Sequence, residues 1–375
     1  MTDWAATAYG ALDLRTHELA DKGFELIVIP TRAGEPRFLF GAGAALWRRL
    51  VDGSVTSRVG QEPATQAMLL EMAEAGFASR SPSENSVVAH LSGPWMSSPL
   101  HELVYALVEH VARENSIDVV FIKGPLLYAQ GLRVREHSGD VDCWTRPKDA
   151  GRLSSALEAW GWAPLHVPFE GTMVSHSITM QSDSWGCEID IHTRFPGIAA
   201  APVDAFEEVL AATDQRQYAG VEVNVPTVPL HAVIASLHLL RPLGGDVQET
   251  DIEEASRILR AGGPDTIGLT RSLNAGYVLA RPLAMAFPEA DTSMLDATVP
   301  EDWAWRSADS VFSGQWKALS LVPWRQRIRV AFRLLWPSRA RLRSSYTDAG
   351  TTWREMTAFR ILRLRSAIRG LFRRS

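Results

Sequence analysis

The chain has 375 residues, 46% of them hydrophobic and 22% charged, with a formal net charge of −5 at pH 7. That length exceeds what one hydrophobic core organises and predicts more than one domain, while the two cysteines exclude a disulfide framework or a cysteine-rich zinc cluster. No apolar run opens the chain as a signal peptide would and none has the length of a membrane span, so a soluble, cytoplasmic protein is expected.

In chain order, the first elements are two apolar runs, 25–30 and 36–40, which predict a hairpin around the turn Arg32-Ala33-Gly34-Glu35. Amphipathic spacing predicts helices over 42–50, 56–61 and 64–75, the last ended by Gly76. A hairpin with three short helices predicts a winged-helix-like module. The third helix carries Glu71 and Glu74 and no lysine or arginine, which argues against contacts to a nucleic acid. Residues 81–86 read as a linker, Ser92-Gly93-Pro94 opens the next domain, and a long helix is expected over 99–114.

Chemistry concentrates further on. The run Val119-Val120-Phe121-Ile122 reads as a buried strand that ends at Lys123-Gly124-Pro125, where glycine permits close backbone approach and proline suits the first position of a helix over 126–132. Free backbone N–H groups in such a turn can face a phosphate. Asp140 and Asp142 follow on a strand, and a spacing of two puts both carboxylates on one face, where they can converge on a hard cation. In the later strand alternation sets Glu188, Asp190 and His192 on one face and Ile189 and Ile191 on the other. Glu188 is expected to lie at the surface or behind the site rather than to be a ligand, and His192 to be either a buried hydrogen-bonded histidine or a residue in or just behind the site. Cys143 is turned away from the carboxylates, and His238, on an apolar helix, is read as structural.

In these residues the chain resembles the nucleotidyltransferase superfamily related to DNA polymerase beta, and within it a bacterial nucleotidyltransferase group with the pattern lysine-glycine, short helix, arginine, Asp-x-Asp, and a later Asp-x-His. Here these are Lys123-Gly124, Arg133 or Arg135, Asp140-Val141-Asp142 and Asp190-Ile191-His192. The resemblance covers about residues 95–350, including Gly161-Trp162 after a helix over 152–160, an apolar helix over 230–240, Asp251-Ile252 and the closing segment 336–346. It implies a catalytic core over 95–200 and a helical region over 201–375. It also implies metal ligands and catalytic carboxylates at Asp140, Asp142 and Asp190, and nucleotide contacts at Lys123, Gly124 and an arginine, with Arg135 slightly favoured over Arg133. Mg2+ or Mn2+ would be the cofactor and an NTP the donor. Where the superfamily has glycine-serine, this chain has lysine-glycine, so phosphate contact passes to Lys123 and backbone amides.

The segment 22–82 resembles the PqqD-like peptide-recognition domains, on residues Phe38-Leu39-Phe40-Gly41, Ala44-Ala45-Leu46-Trp47, Leu50-Val51-Asp52-Gly53 and 70–77. This implies that a precursor peptide's leader adds as a strand at the hairpin edge. The expected architecture is therefore α+β: a winged-helix-like PqqD-like domain, a polymerase beta-like α/β domain and a helical C-terminal region. The expected function is nucleotidyl transfer from an NTP to a ribosomally made peptide, with a small molecule, a protein side chain, or an inactive peptide-binding scaffold as alternatives. No nucleic-acid partner is expected. From Trp324 onward 14 arginines face only Asp348 and Glu355, in amphipathic helices. This tail is read first as packing over the acidic body, with contact to a membrane surface as a lesser reading.

Overall fold

The computed structural model describes residues 4–55, 62–136, 139–165, 167–242, 247–292, 295, 298–308, 311–337, 339, 342 and 352–372. Its contacts group into two compact units. One comprises Met1–Ala163, Gln181–Ile189 and Val209–Thr227, and the other Pro164–Met180, Asp190–Glu208 and Val228–Ser375.

In the first unit β1 (Ala5–Ala6) pairs with β5 (Ala78–Ser79), and β2 (Gly10–Asp13), β3 (Leu26–Ile29) and β4 (Arg37–Leu39) form an antiparallel sheet in that order. The hairpin expected over 25–40 is thus present as β3 and β4. Helices α1 (Gly41–Val51) and α2 (Pro63–Glu74) follow the expected apolar spacing, and the helix expected over 56–61 lies outside the described residues. Trp47, Leu69 and Phe77 close a core against Leu26 and Val28, and the buried Trp47 indole donates to the Phe77 carbonyl at 2.8 Å. Arg48 of α1 pairs with Asp13 of β2 at 3.1 Å and with Glu25 beside β3 at 2.6 Å, fixing the helix to the sheet.

Two features were absent from the sequence reading. β2 is a third strand of the hairpin sheet, and the stretch expected to be a linker is tied down: Ala8 N–H donates to Ser86 and Val88 N–H to Ala6. Proline at the first position and a Ser98 cap that accepts from His101 N–H start α3 (Pro99–Glu114) at the expected residue. α3 is buried along most of its length. β6 (Val119–Ile122) leads through a turn to α4 (Leu126–Ala129), then β7 (Asp140–Thr145) and α5 (Ala150–Leu157).

One five-stranded sheet has the order β6, β7, β10 (Glu188–His192), β9 (Ser177–Gln181), β8 (Ala163–Pro164). β6 and β7 are antiparallel, with Ile122 opposite Asp142 and Val120 opposite Trp144. After α6 (Pro202–Ala211), β11 (Thr213–Tyr218) and β12 (Val221–Pro226) make a hairpin whose turn residues, Ala219 and Gly220, both have positive φ.

The second unit is mainly helical. α7 (Val228–Leu239) is apolar all round and buried, α8 (Glu249–Gly262) packs on it, and α9 (Asp265–Ser272) and α10 (Gly276–Ala286) follow. Asp251 and Ile252 lie near the start of α8. Residues 243–246 lie outside the described residues, as do most residues of the closing segment 336–346. α11 (Trp303–Arg306), α12 (Val311–Leu321), α13 (Trp324–Leu335) and α14 (Trp353–Phe372) complete the chain.

Candidate metal and nucleotide site

The site is built on strand ends. β6 is apolar and fully buried, which places Lys123 and Gly124 where the chain leaves the sheet. Both have left-handed backbone conformations, φ 60° and 63°, so the chain turns sharply into α4. Gly124 has a further reason to be glycine. A Cβ there would sit 2.4 Å from the Tyr105 hydroxyl of α3.

The register of β6 and β7 sets Ile122 opposite Asp142, and the Lys123 ammonium forms an ion pair with the Asp142 carboxylate. Asp142 is only 2% exposed, so this pairing offsets the cost of burying its charge. On β10, the strand neighbouring β7, the isoleucines are buried and Asp190 is half-buried, as alternation predicts. Carboxylate atoms of Asp142 and Asp190 and a ring nitrogen of His192 all lie within 4.8 Å of one another. Thr179 of β9 donates to Asp190 Oδ1 at 2.5 Å, holding that carboxylate in place. The His192 ring lies beside His176, with centroids 5.6 Å apart, and beside Phe195.

Of the carboxylates read from the sequence, the structure brings Asp142 and Asp190 together with His192, whereas Asp140 is not in that cluster. Asp140 sits at the start of β7 near Cys187, whose thiol is pushed up to about 12 by burial and then by the Asp140 and Glu188 charges. Glu188 lies outside the cluster and is half-buried. The two arginines separate clearly. Arg133 is half-buried, its guanidinium donates to the Gly124 carbonyl at 2.8 Å and to the carbonyls of Arg135 and Glu136, and Arg135 is exposed. Burial lowers the Arg133 pKa, while the charges of Asp140 and Asp142 act to raise it. Tyr105 and Thr179 are the residues the sequence did not signal. Thr179 shows itself only through the alternation of Ser177, Thr179 and Gln181 along β9.

Two carboxylates and one imidazole suit a divalent cation. Carboxylates favour Mg2+ or Mn2+, and the imidazole moves the preference toward Mn2+. Asp142, Asp190 and His192 are thus a chemically fitting donor set.

No protein-family model matches the chain, and no curated protein matches it. Among solved structures, the solution structure of the antibiotic-resistance factor ANT(2'')-Ia aligns at 14% identity over 50% of this chain and 90% of its own, with a TM-score of 0.30. The crystal structure of ANT(2'')-Ia with adenylyl-2''-tobramycin aligns at 14% identity over 50% and 98%, with a TM-score of 0.31. Scores this low decide nothing about the present chain.

Proposed function

We propose that this protein is a metal-dependent nucleotidyltransferase that uses an NTP as donor. The observation that carries the reading is the meeting of Asp142, Asp190 and His192 within 4.8 Å, with Lys123 paired to Asp142 at a left-handed turn. A divalent ion held there would neutralise phosphate charge and stabilise the leaving oxygen. The chain's own residues supply the rest. Lys123, set at the turn beside Asp142, would supply the positive charge that pairs with a phosphate of the donor. Arg133 stiffens the turn through the Gly124 carbonyl. Asp190, held by Thr179, or the neighbouring Asp140 accepts the proton of the attacking hydroxyl.

The acceptor we propose is a peptide. β4 is an edge strand, paired only with β3 among the described residues, and an added strand there gains backbone hydrogen bonds. A small-molecule acceptor is the second reading. It is favoured by a cavity of about 400 Å³ in the second unit, lined by Arg194, Phe195 and Asp302, whose first residues follow His192 in the chain.

The test is Mn2+ binding followed by electron paramagnetic resonance, together with intact-mass analysis of peptide and small-molecule acceptors after incubation with each NTP. Asp142→Ala is expected to weaken Mn2+ binding by at least about a hundredfold and to abolish any nucleotide-sized mass gain. Unchanged Mn2+ binding in that variant would reject the site.

A further inference from the structure

Helix α13, Trp-Arg-Gln-Arg-Ile-Arg-Val-Ala-Phe-Arg-Leu-Leu, is seated through a narrow seam. Val330 is buried and Leu334 half-buried against a cluster that includes Val174, Ala318 and Val322. At about 100° per residue the opposite side carries Trp324, Ile328, Phe332 and Leu335 in a stripe roughly 80° wide. These four side chains are 69%, 74%, 64% and 45% exposed. Scattered exposed apolar residues are ordinary, but four large ones aligned on one helix face are not.

The charges beside the stripe are all of one sign. Arg325 and Arg329 lie along one edge of it, and the helix holds no acidic residue. The other two arginines are used at home: Arg327 donates to the Ser320 and Val322 carbonyls, and Arg333 lies 3.6 Å from Glu170.

We infer that α13 binds the surface of an anionic lipid bilayer, with the stripe at the acyl boundary and Arg325 and Arg329 on the headgroups. An anionic bilayer matches both features at once. A second copy of the helix would bring arginine against arginine, and a nucleic acid offers phosphates but no apolar layer for Ile328 and Phe332. With 12 residues, or about 18 Å, the helix is too short to span and lies in the interface.

The experiment is sedimentation of the full chain with vesicles of phosphatidylcholine alone and of phosphatidylcholine one-third replaced by phosphatidylserine. The wild type is expected to sediment with the anionic vesicles and to stay in solution with the neutral ones. Ile328→Ser combined with Phe332→Ser is expected to remove binding, and Arg325→Gln combined with Arg329→Gln to weaken it by about fivefold per arginine. All four positions are exposed, so thermal melting should be unchanged in both variants. The inference is overturned by absence of sedimentation with anionic vesicles, by equal binding to neutral ones, or by binding that survives the serine pair. Self-association in centrifugation that the serine pair abolishes, without lipid binding, would assign the stripe to a second copy and overturn it equally.

Discussion

Gly124 and Tyr105 carry a dependence that neither shows in the sequence. The left-handed φ at Gly124 penalises any side chain by about 1–2 kcal/mol, and overlap with the Tyr105 hydroxyl adds about 1–3 kcal/mol. Gly124→Ala should therefore destabilise by about 2–5 kcal/mol in urea unfolding. In a Tyr105→Phe background, where the 2.4 Å contact is gone, the same substitution should cost only the backbone share, and equal costs in both backgrounds would dismiss the steric account. At this scale the strand-borne carboxylates were legible, because period-two alternation fixes a shared face. That His192 gathers with Asp142 and Asp190 was not legible, since a pattern read along one strand does not say which residues of a neighbouring strand lie alongside. The different settings of Arg133 and Arg135 escaped for a similar reason. Arg133 turns inward for backbone carbonyls, and carbonyls leave no mark in a sequence.

Elements met in pairs show where periodicity suffices. α3 starts and ends as predicted because serine, proline and an apolar stripe all agree, and α1, α2, β3 and β4 follow suit. β2 went unseen: four buried residues with little polar alternation give no strand signal until their partner strand is known. α3 also carries a pH-sensitive contact. His110 stacks on Tyr9, and burial, aided by Arg113, lowers its pKa from 6.5 to about 4. The fold therefore holds the neutral ring. The stability this contributes is complete above pH 6.5 and is lost as the pH falls from 6.5 through about 4, because the unfolded chain takes up the proton first. His110→Phe, which keeps a ring on Tyr9, should flatten the fall in melting temperature across that window. A parallel fall in both proteins would place the acid sensitivity elsewhere.

For the molecule as a whole, the first ninety residues do not stand apart from the strands that follow. Ala11 N–H donates to the Ala219 carbonyl at 3.0 Å, and a Cβ on Gly10 would lie 3.0 Å from Ala106 of α3, so β2 packs directly on that helix. Deleting residues 1–90 should expose the apolar face of α3 and yield an unfolded or aggregated product by circular dichroism and light scattering. A soluble, cooperatively melting fragment would show the opposite. Peptide binding at β4 is better tested in the full chain, for example by Phe38→Pro, which denies an edge hydrogen bond.

The first compact unit is assembled from three stretches, the last ending at Thr227. During synthesis, then, the ribosome must extend the chain well past Ala163 before β10 and the β11–β12 hairpin are available to their partners. At roughly 5–20 residues per second this leaves β6 and β7 waiting for several seconds with unpaired edges. High contact order of this kind slows folding and makes the nascent chain a client for chaperones, so yield in a heterologous host should respond more to slower, cooler expression than to changes in the mature surface.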